Sequence, residues 1–141
     1  MKILIVSSEF NAGLSDSLLQ SCLDAFSEMQ IAPTVVRVPG ALEIPIMLKW
    51  KLAEESWDAC IALGVIVRGE TSHYDSLSRM IEHGIMNLSL EYQTPITFEV
   101  LMADSMALIE ARIQKGHHAA YHAVRMAELR REHSHSPKSE Q

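Results

Sequence analysis

Every residue from 59 to 66 in the segment DACIALGVI is apolar or glycine. A strand with one wet face alternates polar and apolar side chains, and this segment does not. It therefore needs cover on both faces, as an interior strand of a parallel sheet has. The rest of the chain supplies that setting. Residues 2–7, KILIVS, predict a first buried strand. Asn11 and Gly13 turn the chain, and Leu14, Leu18, Cys22, Ala25 and Met29 then recur at helical spacing. Pro33 precedes a second strand, TVVRV, which Pro39 and Gly40 stop. Pro45 stands near the start of the next helix, where its missing N–H costs little, and that helix is expected to run to about Ala53.

After the third strand, a long helix is expected from near Ser72, with Leu77, Met80, Ile81, Ile85 and Leu88 on one stripe. Pro95 opens a fourth strand, ITFEVLM. Asp104 or Ser105 caps a short helix to about Ile113, and Gly116 breaks or bends it. A last helix carries Ala120, Ala123, Val124 and Ala127. Strand and helix alternate throughout, which predicts an α/β fold with a four-stranded parallel sheet and helices on both faces. One domain over residues 1–132 is expected, with a polar, disordered tail over residues 133–141.

The net charge of −6 argues against a nucleic-acid partner, since phosphate backbones call for Lys and Arg in excess. No apolar run reaches membrane-spanning length. Glu9, Asn11 and Asp16 follow the first apolar run too soon for a signal peptide. The two cysteines, Cys22 and Cys60, fall on apolar positions and are expected to be buried and reduced. The cytoplasm is the expected compartment, and no His or Cys spacing completes a zinc site.

In open parallel sheets ligands bind beyond the carboxyl ends of the strands, where strand order reverses. The loops SSEFN, VPGALE and VIVRGETSH occupy that edge, together with the exit of strand four at residues 99–104. In the third loop, Gly69 permits close backbone approach. Thr71 and Ser72 precede a helix whose first N–H groups favour an anion, and His73 stands beside them. Taken alone, this loop reads more readily as a helix cap with a surface histidine. It is not a P-loop, because the Gly-Lys-Ser/Thr ending is absent.

Several separated motifs in register carry a more specific signal. GVIVRGETSHYD resembles the phosphate-binding and catalytic loop of lumazine synthases. VPGALEIP resembles their VPGA-aromatic-EIP segment, EFN their Phe-Asn after strand one, and PITFEVL their fourth strand. The likeness runs from Lys2 to about Arg130. It implies a flavodoxin-like three-layer αβα sandwich. It also implies that His73 is catalytic and that Glu70, Thr71 and Arg112 hold a phosphate. Phe10 and Asn11, the segment Ala41, Leu42 and Glu43, and the strand end Val65, Ile66 and Val67 would contact a pyrimidine and its ribityl chain. Phe98 would complete the pocket of a neighbouring subunit, and Lys115 matches a lysine before the last helix. Each match has a plainer rival. Phe98 suits a core strand, Arg112 a helix end, and Leu42 and Val65 simple packing. Glu43, a carboxylate inside LEIPIM, is expected to need a partner.

The resemblance implies two small-molecule substrates, 5-amino-6-ribitylaminouracil and 3,4-dihydroxy-2-butanone 4-phosphate, with no metal or redox cofactor. It further implies a homo-oligomer, a pentamer or a multiple of pentamers, with sites between subunits. The sequence departs from the family at Leu42, where an aromatic is common, at Glu9, and at Glu99, where Gly is frequent. It opens directly on strand one, without the extension that many members pair with a neighbour. Three other readings fit parts of the pattern: an archaeal-type riboflavin synthase, a flavin-binding flavodoxin-like module, and an assembly protein without activity. The RGETSH loop and Arg112 weigh against the first. The lack of a Ser/Thr-rich turn after strand one weighs against the second, and His73, Arg112, Phe10 and Glu43 together against the third.

Overall fold

The computed structural model describes residues 1–68 and 73–135. Four strands, β1 (Ile3–Ser8), β2 (Thr34–Val38), β3 (Ala59–Val67) and β4 (Ile96–Ala103), pair in parallel in the order β2-β1-β3-β4. Helices α1 (Ala12–Glu28), α4 (Met106–Glu110) and α5 (Lys115–His135) cover one face. A 3₁₀ turn (Ala41–Glu43), α2 (Ile44–Glu54) and α3 (Tyr74–Tyr92) cover the other. This is a flavodoxin-like α/β sandwich. All nine residues of β3 are buried, as the unbroken apolar run requires. Odd-numbered β3 residues enter one apolar cluster, with Leu18, Cys22, Phe26, Ala120 and Ala123. Even-numbered ones enter the other, with Ile44, Leu48, Ile81 and Ile85. Cys22 and Cys60 are buried free thiols, and burial pushes both up to about 12. Among the described residues no helix is long and apolar enough to cross a membrane.

The structure corrects several local expectations. Asn11, at φ 58° and ψ 57°, makes the turn after β1, and Gly13 lies inside α1. Asn is one of the few residues besides Gly that visit this left-handed conformation routinely. Met80 is 60% exposed, unlike Ile81, Ile85 and Leu88. Helical geometry explains this, because Met80 lies about 100° round the helix from the centre of the buried stripe. Ser105 caps α4 by accepting from Leu108 N–H at 3.3 Å, and Asp104 is engaged elsewhere. Helix α4 ends at Glu110 rather than near Ile113, and α5 continues through His135.

Gly116 neither breaks nor bends a helix: it sits in the first turn of α5 where that helix crosses α1. A Cβ there would lie 2.4 Å from Leu18 O and 3.1 Å from Cys22 N. The small side chains of Ala119, Ala120, Ala123 and Ala127 are also buried on this helix. The His117 N–H is shared between Gln114 O and Ser21 Oγ of α1, each at 3.1 Å, which ties the start of α5 to α1. Gly116→Ala is therefore expected to destabilise the fold by about 1–3 kcal/mol through overpacking. Urea denaturation measures this, and an unchanged midpoint would mean that α1 and α5 separate at little cost.

Candidate functional site

Helix α1 and helices α2 and α3 lie on opposite faces because the β1-to-β2 crossover runs one way along the sheet, whereas the β2-to-β3 and β3-to-β4 crossovers run the other way with the same right-handedness. Strand order therefore reverses between β1 and β3, and a crevice forms there at the carboxyl ends. Pairing of β1 with β3 ends at Ser7 and Leu63, whereas β3 stays paired with β4 through Val67 and Ala103. The last turn-ward stretch of β3 thus overhangs β1, and its backbone on that side has no β1 partner.

The overhang forms one wall of a cleft of about 190 Å³. Val65, Ile66 and Val67 come from β3. Gly40, Ala41, Leu42 and Glu43 come from the β2 exit, Phe10 from the β1 exit, and Leu77 from α3. The β1 exit is tied to the β2 exit by Glu9 N–H to Val38 O at 2.8 Å and Phe10 N–H to Pro39 O at 3.0 Å. Gly64 lets the 3₁₀ turn press on the sheet, since a Cβ there would meet Ser8 Oγ at 3.2 Å and Ala41 Cβ at 3.4 Å. Phe10 is 55% exposed and Leu42 45%, so both present apolar surface to whatever enters. The cleft is mainly apolar, with one carboxylate, an arrangement suited to a flat ring with a polar substituent.

The structure brings together seven of the residues nominated from sequence: Phe10, Ala41, Leu42, Glu43, Val65, Ile66 and Val67. Glu43 is not enclosed among apolar neighbours as expected. It is exposed at the cleft wall, because the 3₁₀ turn carries it outward while Ala41 and Ile44 point in. Asn11 lies beside a neighbouring hollow with Ala12, Leu14 and Met106. His73 is the N-cap of α3, and its carbonyl accepts from Leu77 N–H at 2.8 Å, placing it one turn above a cleft residue. Glu70 and Thr71 lie outside the described residues.

Within one chain Phe98, Arg112 and Lys115 do not line the cleft. Phe98 is half-buried on edge strand β4, in an apolar groove with Glu82, Ile85 and Met86 of α3. Arg112 is exposed in the turn joining α4 to α5, and its charge acts on the Tyr74 phenol, which desolvation pushes up. Lys115 begins α5, on the other face of the sheet from α3. There its charge opposes the burial that raises the Glu99 carboxyl.

Sequence reasoning missed Gly40 and Leu77 as cleft residues. Leu77 carried a signal, since it stands one helical turn after His73. Also missed was the ion-pair group at Arg68: the guanidinium meets Asp104 at 2.9 Å and Asp75 at 3.4 Å and lies 4.7 Å from the Tyr74 ring.

The family model of 6,7-dimethyl-8-ribityllumazine synthase matches residues 1–131. The chain is similar to a protein of that name from Kosmotoga olearia, 37% identical over 140 residues, with 94% of this chain and 90% of the relative covered. It is 40% identical over 135 residues to one from Aquifex aeolicus, covering 89% and 86%. A third, from Limosilactobacillus reuteri, is 34% identical over 131 residues, covering 91% and 86%.

Proposed function

The chain belongs to the 6,7-dimethyl-8-ribityllumazine synthase family, and from that premise we propose that the cleft between β1 and β3 is where it joins its two substrates. The protein is a transferase of riboflavin biosynthesis. It condenses 5-amino-6-ribitylaminouracil with 3,4-dihydroxy-2-butanone 4-phosphate. The observation that carries the assignment of the site is the meeting of three loop segments, distant in sequence, in one apolar cleft at the switch point.

The pyrimidine stacks on Phe10, its polar edge faces the overhanging backbone of Val65–Val67, and Glu43 receives hydroxyls of the ribityl chain. The substrate amine attacks the ketone to give an imine, with loss of one water. Phosphate is then eliminated, the resulting enol tautomerises to a ketone, and ring closure onto that carbonyl yields the lumazine with loss of a second water. His73 moves protons in imine formation and elimination. Arg112, with Glu70 and Thr71, holds the phosphate as it departs. Much of the rate comes from holding two reactants together.

The protein works as a closed ring, a pentamer or a multiple of it, in the cytoplasm. Support for the ring comes from the exposed apolar side chains Ile46 and Trp50 of α2 and Met80, Met86 and Leu90 of α3, more than a monomer usually leaves wet. Support for a reducing compartment comes from the two unpaired buried thiols. Mixing the protein with both substrates and following lumazine absorbance and phosphate release tests the activity. No chromophore at high enzyme concentration would leave the inactive-assembly alternative standing.

Leu42 is a tuning position on this reading. An aromatic there adds a stacking face worth about 0.5–1.5 kcal/mol beyond area burial. Leu42→Phe is expected to tighten the ribitylaminouracil in calorimetry. Equal or weaker binding would show that residue 42 does not face the ring.

A further inference from the structure

Arg68 closes β3 and stands directly before residues 69–72, while Asp75 lies in the first turn of α3 and Asp104 at the exit of β4. The single guanidinium serves both carboxylates, with Nε at 2.9 Å from Asp104 and Nη2 at 3.4 Å from Asp75, and its plane lies near the Tyr74 ring. The partners are more than half exposed, so these pairs add little to stability. Their location offers a better reason. The first turn of α3 has N–H groups and a dipole that favour an anion, yet Asp75 and Asp104 place two negative charges there. Unpaired, they would repel a phosphate carrying one to two negative charges.

We propose that Arg68 is a positioning residue for the phosphate-bearing substrate: paired with Asp75 and Asp104, it removes the like charge that would keep phosphate from the start of α3. It acts through the two carboxylates rather than by gripping the phosphate, which falls to Arg112. This rests on the phosphate assignment made above and deepens it. It also accounts for an arginine whose charge is already spent on neighbours beside a site that needs cations.

The test uses inorganic phosphate as the probe, by calorimetry at low ionic strength where exposed charges are least screened. Arg68→Gln is expected to weaken phosphate about three- to tenfold, the effect of one partly screened unit charge. It is expected to raise KM for the butanone phosphate while leaving KM for the pyrimidine unchanged. Adding Asp75→Asn to that variant is expected to return most of the lost affinity, which a purely structural role would not do. Asp75→Asn alone is expected to tighten phosphate, so the proposal stands open to test even if Arg68→Gln folds poorly. Unchanged affinity in Arg68→Gln, or no recovery in the double variant, would overturn it. If the wild-type ring makes lumazine and binds phosphate but the variants behave alike, only this inference falls. If the wild-type ring binds no phosphate, the phosphate assignment falls with it.

Discussion

Replacing His73 by Ala is expected to lower kcat about hundredfold while leaving the pyrimidine bound. General acid–base groups contribute roughly 100- to 10,000-fold. The low end applies here because the substrate amine is already nucleophilic and phosphate leaves readily. His73 caps α3 one turn above Leu77, at the end of the helix rather than within the cleft wall. On the proposed mechanism its loss removes a proton carrier and leaves in place the cleft surfaces of Phe10 and Val65–Val67. Single-turnover rates at saturating substrate, with pyrimidine affinity measured in parallel, give the answer. An unchanged rate would take His73 out of the mechanism.

The second large effect is recovery of activity on mixing two crippled variants. Phe98 is half-buried on edge strand β4 beside Glu82, Ile85 and Met86 of α3, and neither it nor Arg112 lines the cleft of its own chain. A head-to-tail ring would bring both to a neighbour's cleft. Each homomeric ring of His73→Ala or Arg112→Ala is then defective at every site. Unfolded together in equal amounts and refolded, they place an intact His73 opposite an intact Arg112 at about one quarter of sites, by random mixing of a heterologous ring. Activity is expected to rise well above the mean of the two parents. If mass spectrometry shows mixed rings and activity stays at the parental mean, both residues serve one subunit's site.

Which parts of this site could be seen beforehand follows from the range of the forces involved. Phe10, Ala41–Glu43 and Val65–Val67 lie at strand ends, and the rule that ligands bind at those ends, joined to motif resemblance, nominated them before any geometry. For Glu43 the nomination came from resemblance, and the added expectation that apolar neighbours would enclose its carboxylate does not hold. Its neighbours in sequence are apolar, but a 3₁₀ turn points successive side chains in different directions, so the carboxylate reaches water. Gly116 looked like a helix breaker because glycine lowers local helix propensity. Its role is set by α1, nearly 100 residues earlier in the chain, whose backbone leaves no space for a Cβ. Of Arg68, Asp75 and Asp104, Asp104 alone was singled out in the sequence, as a rival helix cap. Only the parallel register of β3 with β4, which pairs Val67 with Ala103, sets Arg68 beside Asp104.

The sequence by itself determined the layer structure. An apolar run without alternation demands cover on both faces, and the helical stripes between strands supply it. Hydrophobic periodicity is local, so it survives without coordinates. Tertiary structure alone decided the strand order β2-β1-β3-β4, the overhang of β3 beyond Leu63, and the crossing of α5 on α1 at Gly116. These depend on which surfaces meet and at what register. Such contacts join residues far apart in the chain, and no single segment carries their pattern.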